Sequence, residues 1–112
     1  MIFVDTGPLL ARFLERDQYH QQAIEAWDIV QKRALECVTS SFVIGEFVTL
    51  LTRQAGSEFA VHCAYPIWKS PTFTILRPTR SNELEALGLL RRYQDQFFSF
   101  TDALSFVFMK HQ

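Results

Sequence analysis

Basic charge is not in excess here: 11 Lys and Arg stand against 12 Asp and Glu, for a formal net charge of −1. That balance excludes a protein that holds nucleic acid by bulk charge alone, though not one that gathers its basic residues on one face. Long apolar runs are missing too. None approaches the roughly 20 residues needed to span a bilayer, so no membrane segment is expected. The start, Met1-Ile2-Phe3-Val4-Asp5, has no basic stretch and reaches a carboxylate too soon for a secretory signal. Cysteine is scarce, and Cys37 and Cys63 lack the CxxC spacing of a zinc or redox site. Two buried, reduced thiols in a cytoplasmic protein are the expectation. Four Gly and four Pro leave no material for collagen-like, low-complexity or long linker segments.

What the sequence does have is bulk. Hydrophobic residues make up 48% and charged residues 21%, the balance of a folded protein and not of a disordered one. Eleven Phe among 112 residues predict a bulky core. At this length a single domain over 1–112 is expected.

The pattern alternates short strands with long helical stretches. Met1 to Val4 reads as a buried strand that stops at Asp5-Thr6-Gly7-Pro8. Thr6 can cap the helix that follows, where Leu9, Leu10, Phe13 and Leu14 recur at helical spacing. A second helix carries Ala23, Ile24, Trp27 and Val30 on one face, and Leu35 to Thr39 is the next strand. Ser40 or Ser41 opens a third helix, from about Phe42 to Gln54, which Gly56 closes. Ser57 opens a fourth, which Pro66 should end or bend. Thr72 to Arg77 is the third strand. Ser81 or Asn82 caps a fifth helix, Phe97 to Phe100 is a loop or short strand, and Thr101 to Lys110 is the last helix. No hairpin signal occurs anywhere. Strands joined through helices predict an α/β fold with a parallel sheet and helices on both faces.

Three of the acids stand apart from the polar helix faces. Asp5 directly follows an apolar strand, at the end where parallel α/β proteins place ligands, although Asp also starts turns and caps helices. Glu46 sits among Phe42, Val43, Ile44, Phe47, Val48, Leu50 and Leu51, on a helix that reads as apolar almost all round. A carboxylate there is costly unless it is paired with a cation such as Arg53, protonated or bound to a metal. Asp102 lies at the start of the last helix among aromatic residues, where capping is the ordinary role of an acid. Considered together, the three fall at junctions that a parallel sheet brings to one edge. Clustered carboxylates repel, and a divalent cation relieves that repulsion. Oxygen-only ligands suit Mg²⁺ or Mn²⁺, not zinc, and such sites commonly handle phosphates.

Three segments in order, Phe3-Val4-Asp5-Thr6-Gly7-Pro8-Leu9-Leu10, Thr39-Ser40-Ser41 through Glu46-Phe47, and Phe98-Ser99-Phe100-Thr101-Asp102-Ala103-Leu104, resemble those of PIN domains. More narrowly they resemble the VapC toxins of bacterial and archaeal toxin–antitoxin pairs. The resemblance implies a three-layer α/β/α fold around a central parallel sheet. It also implies a Mg²⁺- or Mn²⁺-dependent endoribonuclease that leaves a 5′-phosphate and a 3′-hydroxyl. Asp5, Glu46 and Asp102 would be its acidic site residues, with Thr6 and Ser40 as supporting hydroxyls. An RNA substrate, a homodimer and a small cognate antitoxin protein that blocks the site are implied as well. Family members usually continue into a further edge strand and an acidic Thr-x-Asp segment, whereas this sequence stops at His111-Gln112. That C-terminal edge strand and a fourth acid are therefore expected to be missing.

Two rivals compete with the nuclease reading. One is a catalytically impaired PIN-fold binding or scaffold protein, which the missing acidic segment favours. The other is a receiver-like phosphoacceptor, which would need a second acid beside Asp5 and a late strand-end Lys, and neither is seen. His20, His62 and His111 are scattered away from the acids. Arg12, Arg16 and Arg53 read as solvated surface charge. Phe97, Phe98, Phe100, Phe106 and Phe108 could stack bases, but core packing or a dimer surface is the simpler account. No P-loop, GxSxG, HExxH, EF-hand loop or GxGxxG occurs.

Overall fold

The computed structural model describes residues 1–111. Three short parallel strands, β1 (Ile2–Phe3), β2 (Cys37–Ser40) and β3 (Phe73–Leu76), form a sheet in the order β1-β2-β3. The described residues also form six helices: α1 (Thr6–Phe13), α2 (His20–Lys32), α3 (Ser41–Ala55), α4 (Ser57–Lys69), α5 (Arg80–Arg92) and α6 (Phe100–Lys110). The α/β class and the parallel sheet are as expected. Among the described residues no helix is long and apolar enough to cross a membrane.

Register sets the two faces of the sheet. Ile2 pairs with Cys37 and Cys37 with Phe73, while Thr39 pairs with Ile75. Side chains alternate along a strand, so Cys37, Phe73 and Ile75 share a face. That face meets the main core, where Leu9 of α1, Val43, Ile44, Phe47 and Leu51 of α3, and Ala60, Cys63, Ala64 and Ile67 of α4 are buried together. Val38 is out of phase with them and is buried as well. Helices α5 and α6 pair around a smaller core of Ala86, Ala103, Leu104 and Val107. Helix α2 buries no residue fully, and Trp27 stacks on Phe73 with ring centroids 6.1 Å apart.

Local chemistry explains the helix ends. Gly56 has φ 91°, a left-handed conformation that L side chains rarely adopt, and it serves as C-cap of α3 and N-cap of α4 at once. One residue thus turns the chain between two packed helices. Other expectations need correcting. The first residue of α1 is Thr6, and its cap is Asp5, whose side chain accepts from the Thr6 N–H. Helix α5 is capped by Thr79 and not by the expected Ser81 or Asn82, because Asn82 at the third position closes a reciprocal capping box. Pro66 does not end α4, which continues to Lys69 with Ile67 anchored in the core.

Glu85 ties α5 to the end of α6, 3.2 Å from Lys110 Nζ and 3.0 Å from His111 Nε2. Hydrogen bonds from His111 and Lys110 hold its carboxyl below the usual carboxylate range. Both pairs are largely exposed, and pairs of that kind add little to stability.

Candidate active site

Strand ends and helix starts meet at one edge of the sheet. Val4 N–H donates to Val38 O at 2.8 Å, extending the β1–β2 pairing by one residue. The buried Thr39 hydroxyl then donates to Val4 O at 2.7 Å. That bond fixes the carbonyl immediately before Asp5. Nothing in the sequence singles out Thr39 for this task, since a threonine in a strand is ordinary. Asp5 is half-buried, and its Oδ1 accepts from Thr6 N at 2.8 Å.

Ser40, at the end of β2, caps α3 by accepting from Val43 N at 3.1 Å. It is fully buried, so the expected supporting hydroxyl is placed as a cap. Helix α3 is less enclosed than its sequence suggests. Val43, Ile44, Phe47 and Leu51 are buried, but Phe42, Gly45 and Thr49 are exposed and Glu46 is half-buried. The cause is geometric: α3 gives one face to the core and leaves the next to solvent. Glu46 has no salt bridge to Arg53. Its Oε2 instead accepts from Thr6 Oγ1 at 3.4 Å, a long bond that joins the start of α1 to the second turn of α3.

Asp102 sits at the third position of α6. Its Oδ2 accepts from Ser99 N at 3.0 Å, while Ser99 Oγ accepts from Asp102 N at 3.0 Å. The capping role therefore exists, and it engages one carboxylate oxygen. Phe42, one turn before Glu46, packs edge-on against Phe100, two residues before Asp102, with centroids 5.8 Å apart. Helix starts α1, α3 and α6 are thereby linked through Thr6–Glu46 and Phe42–Phe100.

Among the described residues, no three acid, His or Cys side chains converge closely enough to hold an ion. Asp5 and Asp102 are each turned back onto their own helix start. The donor set nonetheless suits a hard cation. It consists of three carboxylates and neighbouring hydroxyls, and no Lys, Arg or His among the described residues forms a salt bridge with any of the three acids. One oxygen of each acid has no protein hydrogen-bond partner among the described residues.

The three histidines lie elsewhere. His20 donates Nδ1–H to Ala11 O at 2.7 Å and joins α2 to α1, His62 is exposed on α4, and His111 pairs with Glu85. A cavity of about 650 Å³ also lies apart from the acids, between α1, α2, α4 and β3. Cys37 and Cys63 line it as free, buried thiols. Burial pushes both up from the ordinary thiol pKa, for Cys63 against the opposing charge of Arg12.

Comparison with known proteins gives this edge its context. No protein-family model matches the sequence. Two curated proteins of Mycobacterium tuberculosis, from strains CDC 1551 and H37Rv, are each 34% identical over 110 residues. Both are named 23S rRNA-specific endonuclease VapC20, and the match covers 98% of this chain and 81% of theirs. The chain belongs to the VapC family of PIN-domain endonucleases. The crystal structure of Mycobacterium tuberculosis VapC20, described as a sarcin–ricin loop-cleaving toxin, superposes with a TM-score of 0.89 at 32% identity. That superposition covers 99% of this chain and 82% of the solved one. The VapC fold therefore runs through all three acid-bearing segments.

Proposed function

We propose that this VapC-family chain is the toxin of a type II toxin–antitoxin pair, a metal-dependent endoribonuclease working at Asp5, Glu46 and Asp102. One observation carries the assignment of the site. Thr6 bridges the α1 start to Glu46, and no cation of the protein neutralises Glu46, Asp5 or Asp102 among the described residues. Half-buried acids that no side-chain cation of the protein neutralises favour a cation from outside.

The protein's own contribution is placement. Thr39 fixes the strand end from which Asp5 projects, and the Thr6 N–H holds one Asp5 oxygen. The Thr6 hydroxyl orients the Glu46 carboxylate. Ser99 holds Asp102 at the mouth of α6. Each acid keeps a second oxygen for a metal. A bound Mg²⁺ or Mn²⁺ would supply an activated water and neutralise charge on the scissile phosphate. RNA is the proposed substrate, and the sarcin–ricin loop named for the solved relative is the first sequence to try.

A cognate antitoxin protein and a second copy of the chain are the proposed partners. Support for the second copy comes from α4, where Val61, Tyr65 and Trp68 recur at helical spacing and are 46, 58 and 46% exposed. Aromatic residues of this kind are enriched at interfaces. Light scattering at micromolar concentration should return the mass of a dimer, and Tyr65→Lys should shift it to the monomer. A wild-type monomer would remove this part of the proposal.

Metal binding provides the test of the site. A cation that binds only the folded state raises the melting temperature, by about 2.7 kcal/mol of stability at 100 times Kd. Mg²⁺ or Mn²⁺ should therefore stabilise the wild type, and Glu46→Gln, which keeps shape and removes charge, should lose most of the shift. An identical shift in Glu46→Gln would exclude Glu46 as a ligand.

A further inference from the structure

A run of aromatic side chains lies immediately before Asp102 and along the start of α6. Helix α5 ends in Arg91 and Arg92, both exposed, and a turn over Tyr93–Gln96 leads to Phe97, Phe98 and the α6 cap. Arg92 lies over the Tyr93 ring at 5.7 Å, Tyr93 is 6.4 Å from the Phe98 ring, and Phe98 meets Phe106 edge-on at 5.5 Å. These groups form a continuous run from a guanidinium to helix α6. Phe98 is half-buried against the α5–α6 core and anchors the run. Phe97 differs. Its exposure is 104%, and no ring partners it among the described residues.

Core packing thus accounts for Phe98, and a ring contact with Phe98 for the exposed Phe106, but neither accounts for Phe97. A fully exposed ring contributes nothing to folding and keeps its whole apolar face in water. Its surroundings say what would cover it. Arg91 and Arg92 stand at the same helix end with no salt bridge among the described residues, while the turn itself carries a single acid, Asp95. An exposed aromatic ring one turn along the chain from guanidinium groups that form no salt bridge is suited to a base and its phosphates. Another protein would find little continuous apolar surface at the turn, where Gln94, Asp95 and Gln96 are exposed and polar. Position adds a further reason. Phe97 is five residues before Asp102, and only the loop and the first turn of α6 separate them.

We propose that Phe97 is a stacking platform for an unpaired base of single-stranded RNA, with Arg91 and Arg92 taking the adjoining phosphates, so that the strand is led toward Asp102. This rests on the endoribonuclease reading. It adds to that reading a substrate requirement: the nucleotide beside the cleaved bond must be unstacked, as in a loop, because a base stacked within a helix has no free face for the ring.

The test is titration of the full chain into a short single-stranded RNA carrying 2-aminopurine, in EDTA so that nothing is cleaved. Stacking on Phe97 should quench the fluorophore. Phe97→Ala should abolish the quench and weaken binding roughly 5- to 150-fold, the range for one stacked base. Phe97→Trp should restore both, and Arg92→Gln should reduce the salt dependence of binding. The melting temperature of Phe97→Ala should stay at the wild-type value, which separates a lost platform from a damaged fold. Unchanged affinity and quenching in Phe97→Ala would overturn the proposal. So would a change of mass in light scattering, since the ring would then be covering a second copy. The two readings fail separately: RNA cleavage by the wild type in Mn²⁺ with no Phe97→Ala effect removes the platform alone. Absence of cleavage in either metal removes the nuclease, and with it the role of the platform in leading RNA to Asp102.

Discussion

Asp5→Asn and Asp102→Asn should each reduce metal-dependent RNA cleavage by at least about 100-fold while leaving the fold intact, because each removes a charge and keeps a cap. Changes beyond a metal's direct ligands already lower affinity or activity by about 10- to 100-fold, so loss of a ligand should exceed that. The structural alternative at both positions is unusually easy to isolate. Asp5 caps α1 through one oxygen that accepts from Thr6 N, and an asparagine oxygen can accept the same bond. For Asp102 the chain provides its own precedent. The capping box of α5 uses Asn82 where α6 uses Asp102, and Asn82 Oδ1 accepts from Thr79 N at 2.9 Å. An asparagine therefore serves this box well. Cleavage assays with Mn²⁺ and with EDTA, beside thermal melts of the same samples, separate the roles. Activity lost with the melt unchanged assigns the acids to the metal. Cleavage that persists in both variants and in EDTA would end the nuclease assignment for these residues.

The same pair of helix starts shows where sequence reasoning succeeds and where it stops. Local signals worked when one residue decided the outcome. Ser40 before an apolar helix and Gly56 after it mark α3 correctly, because a serine cap and a positive φ are single-residue requirements. Helix α5 was harder. The expected caps were Ser81 or Asn82, whereas the reciprocal bonds between Thr79 and Asn82 make Thr79 the cap. Burial was the weaker inference. Glu46 has apolar neighbours in sequence, yet α3 turns Phe42, Gly45 and Thr49 to solvent, and only the packed fold shows which stripe is covered. Phe97 is the sharpest instance. Adjacent to Phe98 in a phenylalanine-rich segment, it has the composition of core and the exposure of a free surface side chain. The position of Asp5 just after β1 was legible because an apolar strand ends where its carboxylate begins. Thr39 was not, because its task depends on a carbonyl 35 residues away.

The largest effect on stability is expected from Phe47→Ala, at about 3–5 kcal/mol. Phe47 is fully buried on α3 and lies 5.7 Å from the Phe13 ring of α1. It belongs to the core that also contains Leu9, Ile44, Leu51, Cys63 and Ile67, contributed by three helices. Truncation removes most of a large apolar side chain and leaves a cavity that rigid helices cannot close. A domain of this size is stable by only about 5–15 kcal/mol, so the loss takes a large share of the total. Urea denaturation should show a lower midpoint with an unchanged slope, the mark of a native state weakened without a change in what unfolds. Phe42→Ala is the control. That ring is on the same helix, 36% exposed, and touches Phe100 instead of the main core, so its loss should be clearly smaller. Phe47→Leu should recover much of the stability by refilling part of the space. Glu46 adjoins Phe47 in the chain, and its oxygen reaches Thr6 across the α1–α3 seam that Phe47 and Phe13 pack. Loosening that seam frees α1 to move relative to α3, so Phe47→Ala should also bind metal more weakly at temperatures where it remains folded. Equal denaturation midpoints for Phe47→Ala and Phe42→Ala would contradict this account of the core. An undiminished metal shift in a destabilised Phe47→Ala would show that the acids are positioned independently of it.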